Sequence, residues 1–151
     1  MSHTHEYYMS LALKEAQKAF DRNEVPVGAV IILGDKVIAK AYNQRVLKER
    51  TFAHAEMLAI EKANKKLESW RLEDASLYVT LEPCPMCAGA IIQSRIKNLY
   101  FGAYDPKGGV CGSVINLFDV KFNHQVSTFG GILEKESSDL LKSFFRKLRE
   151  K

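Results

Sequence analysis

The stretch LYVTLEPCPMCAG, Leu77–Gly89, decides the fold. Leu77 to Leu81 is a short apolar, β-branched and aromatic run, the composition of a buried strand. Glu82-Pro83 ends that run. Proline suits the first turn of a helix, so Pro83 is expected to open one over Cys84 to Ser94. A further apolar run, Leu99 to Ala103, predicts a strand after it. Strand, helix and strand in succession imply a right-handed crossover and parallel pairing.

Working outward, Val25–Leu33 and Lys36–Tyr42 read as two strands joined by a turn at Gly34-Asp35, a hairpin. Before them, Tyr8, Ala12, Ala16, Ala19 and Phe20 recur at helical spacing and predict a helix over Glu6–Arg22, with Asn23 as its stop. A polar loop, Asn43–Thr51, leads to a helix starting near His54, with Ala55, Ala59, Ala63 and Leu67 on one face. Past the Leu99 strand come a glycine-rich loop at Asp105–Gly112, a weaker strand near Gln125–Phe129 and a final helix over Lys135–Arg149. This order predicts a three-layer α/β/α architecture on a five-stranded mixed sheet, as one domain over residues 1–151.

The 151 residues are 46% hydrophobic, enough for a real core, and carry a net charge of +4. Three cysteines cannot all pair, and Cys84 and Cys87 form a C-x-x-C, which in a reduced compartment reads as a metal or redox pair. Met1 to Ser10 lacks the basic and apolar regions of a leader. No stretch approaches the ~20 apolar residues of a membrane span. A cytoplasmic protein with no membrane association is therefore expected. The mild basicity is weak support for a polyanionic partner.

The chemistry centres on His54-Ala55-Glu56 and Cys84-Pro85-Met86-Cys87. Residues three apart at a helix start put both sulfurs on one face, where the dipole favours thiolates. Zinc takes thiolate and imidazole ligands tetrahedrally. His54, opening another helix, is the best third ligand. His3 and His5 lie at the N-terminus and His124 stands alone in a later loop. Three protein ligands leave a fourth place for water, the catalytic pattern. Glu56 then suits a proton carrier for that water, whose pKa zinc lowers toward about 7. Positions two apart on a regular helix face nearly opposite ways, so His54 and Glu56 must share the first turn. A redox pair or a structural zinc site remains open on C-x-x-C alone, with Cys111 as an available fourth ligand, although a lone buried cysteine is commoner.

The H-x-E…P-C-x-x-C pattern is the signature of zinc nucleobase deaminases. Nearly the whole chain resembles the bacterial tRNA-specific adenosine deaminases: Val25–Val30, Thr51–Glu56, Ser69–Leu72, Leu77–Gly89, Ser94–Ile96, Phe122–His124 and Phe144–Arg146 carry the likeness. The resemblance implies a cytidine-deaminase-like fold and one Zn2+ per subunit on His54, Cys84 and Cys87. It implies Glu56 as the proton shuttle and a homodimer. The implied reaction is hydrolytic deamination of the wobble adenosine, position 34, of an arginine tRNA with an ACG anticodon, giving inosine and ammonia.

The resemblance also implies base contacts by Asn43 and Val27, and an anticodon-facing loop with Asp105 and Lys107. Asn43 can donate and accept, but is also a turn former, and Val27 is also ordinary sheet core. Phe122, Asn123 and His124 combine an aromatic ring with base-reading polar groups. In the final helix Lys142, Arg146, Lys147, Arg149 and Lys151 outnumber Asp139 and Glu150 beside Phe144 and Phe145. That mix suits a sugar-phosphate backbone with splayed bases, or an amphipathic helix with core phenylalanines. The tRNA anticodon stem-loop is thus the expected partner. A deaminase of free guanine or cytosine, a zinc-stabilised RNA-binding module and a thiol redox protein are the competing readings.

Overall fold

The computed structural model describes residues 3–150. Met1 and Ser2, and Lys151, one of the basic residues named above, lie outside it. Helix α1, His5–Asp21, starts where Thr4 accepts a hydrogen bond from the Tyr7 N–H, a side-chain N-cap. Strands β1, Gly28–Leu33, and β2, Lys36–Tyr42, form the expected antiparallel hairpin. Short helix α2, Arg45–Lys48, precedes α3, Ala55–Leu67. Then come β3, Ala75–Leu81, α4, Pro85–Gln93, β4, Asn98–Ala103, a 3-10 turn at Leu117–Asp119, β5, Ser127–Phe129, and α5, Glu134–Arg149.

The sheet order is β2-β1-β3-β4-β5. β1 is antiparallel to both β2 and β3, while β3, β4 and β5 run parallel, as the crossovers require. Helices α1 and α5 pack on one face; α3 contacts α4 and packs on β1 and β2 from the other. Strand alternation divides the core between the two faces. Ala29, Ile31, Leu77 and Val79 join the cluster with α3 and α4, whereas Val30, Ile32 and Tyr78 join α1. The three-layer α/β/α architecture is as expected from the sequence.

Four local expectations need correction. The strand expected from Val25 begins at Gly28, because the Val27 N–H bonds the Val25 carbonyl in a tight three-residue turn before the chain enters the sheet. The loop from Asn43 contains α2. Pro83 does not open α4: Cys84 is the N-cap in extended backbone, Pro85 occupies the first helical position, and the Pro83 carbonyl accepts the Val110 N–H. The last strand is shortened to Ser127–Phe129.

Gly28 permits the closest helix–sheet approach. A Cβ there would overlap the Ala12 carbonyl and the Ala16 amide nitrogen, both backbone atoms of α1. Gly28→Ala must push α1 off the sheet. Overpacking of this kind costs about 1–3 kcal/mol or more. A melting temperature lowered by about 2–4 °C per kcal/mol is the expected calorimetric result.

Candidate metal and active site

Two helix starts converge at the end of β3. His54 is the N-cap of α3 and Cys84 the N-cap of α4; both have extended backbone, and neither side chain caps its own helix. Cys87 sits three residues on, in the first turn of α4, where an N-cap side chain and its third successor naturally meet. His54 Nδ1 lies 3.8 Å from Cys84 Sγ and 3.5 Å from Cys87 Sγ. All three donor atoms lie within 4.8 Å of one another. Zinc bonds of about 2.3 Å to sulfur and about 2.0–2.1 Å to nitrogen, at the tetrahedral angle, place N and S about 3.6 Å apart. The observed separations bracket that value, so the donor set fits one zinc ion. Among the described residues no fourth His, Cys, Asp or Glu joins this group, and Cys111 is buried outside it.

The three groups already share charge. A hydrogen bond from the Cys87 thiol, reinforced by His54 against the cost of burial, pulls the Cys84 thiol down to about 4. Cys87 is pushed up by Cys84 and by its own burial. The hydrogen bond with Cys84 raises His54. An electron-rich pair of sulfurs beside an imidazole is a site that a soft-tolerant dication neutralises.

Glu56 is 4% exposed and lines the same cavity as His54 and Cys84. The facing problem posed by its spacing from His54 is resolved by the cap. His54 has extended backbone, φ −78° and ψ 151°, so its side chain is not bound to the helical phase and both groups turn inward. Burial, against its backbone hydrogen bond and His54, pushes the Glu56 carboxyl up to about 6. A carboxyl with that affinity can hold or release a proton near neutrality.

The cavity beside these groups measures about 160 Å³. That is below the ~300–1,000 Å³ of sites for drug-sized ligands and suits a single ring system. Of the residues expected to touch substrate, Val27, Asn43 and Asp105 line it. Asn43 serves as turn former and wall at once: its Oδ1 accepts the Arg45 N–H at 3.2 Å and its Nδ2 donates to the Val25 carbonyl at 3.1 Å. Val25, Arg45, Leu81 and Glu82 also form walls, which the sequence did not single out. The Gly108-Gly109 pair offered one signal. A Cβ on Gly109 would strike the Glu82 carboxylate, so the close approach that glycine permits there is to a buried acid.

Lys107, Phe122, Asn123, His124, Phe145 and Arg149 do not line this cavity. His124 is tied by its Nε2 to the Ile96 carbonyl at 2.7 Å, beside the start of β4, whereas the triad lies beyond the end of β3. Phe122 and Asn123 are exposed. Phe145 and Arg149 line a separate surface cavity on α5 with Leu141, Lys142 and Arg146. Phe144, expected among the RNA contacts, is instead turned inward: it is 3% exposed and packs edge-on against Phe20 of α1. A ring so covered has no face for a base. Phe144→Ala should cost about 3–5 kcal/mol in denaturant unfolding. Phe145→Ala, 43% exposed, should stay within about 0.5 kcal/mol.

Comparison with known proteins agrees with the geometry. The family described as MafB19-like deaminase matches residues 3–149. The chain is 53% identical over 147 residues to the tRNA-specific adenosine deaminase of Bacillus subtilis (strain 168), covering 97% of this chain and 91% of that one. A solved structure from a study of A-to-I editing by tRNA:A34 deaminases at the wobble position superposes with a TM-score of 0.86 at 44% identity, over 89% of this chain and 98% of that chain. A guanine deaminase from Nitrosomonas europaea, 23% identical, shares the fold with a TM-score of 0.84 over 95% of this chain and 85% of its own. No helix among the described residues is long and apolar enough to cross a membrane. With a cytidine-deaminase-like α/β/α sheet, a His/Cys/Cys group at two helix starts and this likeness along nearly its whole length, the chain belongs to the family of tRNA-specific adenosine deaminases.

Proposed function

We propose that this protein hydrolytically deaminates the wobble adenosine of an arginine tRNA with an ACG anticodon to inosine, using one Zn2+ held by His54, Cys84 and Cys87. The observation that carries the reading is the three-donor group at zinc-compatible spacing with buried Glu56 beside it in one small cavity. When bound, zinc supplies a water acidic enough to act as hydroxide at neutral pH. Glu56 takes one proton of the attacking water and delivers it to ring N1 of adenine; it then carries the second, from the new C6 hydroxyl, to the departing amine, so that the hydroxyl becomes the inosine carbonyl and ammonia leaves. Beyond its bonds to Val25 and Arg45, Asn43 keeps one amide hydrogen and one lone pair for the base edge, and Val27 packs against the ring. Asp105 and Lys107 face the flanking nucleotides. Phe122, Asn123 and His124, with Phe145 and Arg149 on α5, extend the contact to splayed bases and phosphates. A homodimer in the cytoplasm completes the reading.

The test is incubation of the purified, zinc-loaded protein with that tRNA, followed by sequencing for A read as G at position 34. Free adenine, guanine and cytosine serve as competitors. Inosine confined to the wobble position is the expected product. Turnover of free guanine or cytosine without editing would assign the protein to the small-base deaminases instead.

A further inference from the structure

Two buried carboxylates have no cation beside them. Glu24 is 1% exposed and Glu82 is 2% exposed, and neither forms a salt bridge among the described residues. An unpaired buried charge is costly unless hydrogen bonds replace its water. Here the replacement comes almost wholly from backbone N–H groups of the two segments that wall the cavity. Glu24 accepts from Val46 N at 3.2 Å and Leu47 N at 2.6 Å. Glu82 accepts from Asp105 N at 3.0 Å, Cys111 N at 2.9 Å, Ser113 N at 3.0 Å and the Ser113 hydroxyl.

We infer that Glu24 and Glu82 are positioning residues that set the two substrate-facing loops, residues 43–53 and 105–113, before substrate arrives. The inference rests on the deaminase reading of the cavity. Helix α2 has four residues and buries no side chain, so neither helix propagation nor packing can hold it. Its Val46 and Leu47 side chains are 61% and 54% exposed, yet their amides are fastened to a buried charge. The same strap places Arg45 and Asn43 on the wall, and Asn43 closes it by bonding both Val25 and Val27. On the opposite side, four hydrogen bonds converge on Glu82 from a loop spanning residues 105–113, and Gly109 is the residue that lets that loop pass so close. Asp105, the wall residue of that loop, is thereby fixed by its own amide. Charged acceptors make stronger, better-directed bonds to backbone amides than neutral ones. An amide in place of either carboxylate keeps the volume but turns a donor toward donors.

Glu24→Gln and Glu82→Gln, with Ser113→Ala as a milder change on the Glu82 side, are compared with the native protein for zinc content, melting temperature, residue-resolved amide exchange, and kcat and KM on the tRNA. Glu24→Gln should speed exchange at Val46 and Leu47 by about tenfold, the loss of one hydrogen bond to a charged group, and leave Cys111 and Ser113 unchanged. Glu82→Gln should do the reverse, and Ser113→Ala should give a smaller effect in the same loop. Each Gln variant should raise KM by about tenfold with zinc content retained and kcat within about threefold, the signature of lost binding. Unchanged exchange in the fastened loop, acceleration spread evenly over the chain, an unchanged KM, or activity lost in proportion to zinc would each overturn the inference. A native protein that edits no tRNA would sink the functional reading, and the exchange pattern would still decide whether the carboxylates hold the loops.

Discussion

Glu56→Ala lowers kcat on the tRNA by at least about 10²–10⁴-fold, the usual worth of a positioned acid–base group, and the loss exceeds that range if both proton transfers depend on it. Zinc stays at one per chain, because Glu56 is not among the three donors. Single-turnover kinetics with saturating protein, beside metal analysis of the same sample, checks both halves. Glu56→Gln gives the sharper result: the amide fills the same space but cannot carry the proton. Stability should not follow activity. Burial holds the Glu56 carboxyl near 6, so the charged form is strained in its place and its removal relieves that cost. A variant that loses zinc along with activity would show Glu56 to be a ligand and the site to be closed.

Cys87→Ser removes one of the three protein donors grouped among the described residues, from a position that is fully buried. Metal binding to such a site is coupled to the folded state, so stoichiometric zinc and activity should vanish together. Chelation of the native protein should have the same effect and also lower the melting temperature. A ligand at a hundredfold excess over its Kd stabilises by about 2.7 kcal/mol, and for a chain of this size each kcal/mol is about 2–4 °C. A fall of roughly 5–11 °C in calorimetry is expected from those two relations. Cys111→Ser is the contrasting variant: its sulfur lies outside the donor group, so zinc and activity should be retained. Zinc released by Cys111→Ser would favour the zinc-stabilised binding module over the enzyme.

Much of this was legible in local sequence. The run at Leu77–Leu81 is marked as a strand by its short length and its β-branched and aromatic residues, and α3 by the helical period of its small, apolar face. The two metal motifs were readable because both sit at helix starts, where spacing along the chain converts directly into geometry. Helix α2 was not readable, since four residues contain barely one turn and no period can register. The start of β1 was misplaced for another reason. Val25 and Val27 are as apolar as the strand they precede, and that apolar run outweighed Pro26, the central residue of the turn and its one local mark.

By itself, then, the amino-acid order determined the α/β alternation and each half of the candidate site, His54 with Glu56 and Cys84 with Cys87, because these depend on neighbours within a few residues; the meeting of the two halves across 30 residues is a property of the fold. The tertiary structure alone decided which side chains wall the cavity and which are packed away. Phe144 and Phe145 are adjacent and chemically identical, yet one is sealed against Phe20 and the other faces solvent, a difference set by where α5 rests on α1. Glu24 and Glu82 carry no local sign of burial; their partners stand 22 to 31 residues further along the chain. Burial and hydrogen-bond partnership over such separations are properties of the closed fold, and no local pattern encodes them.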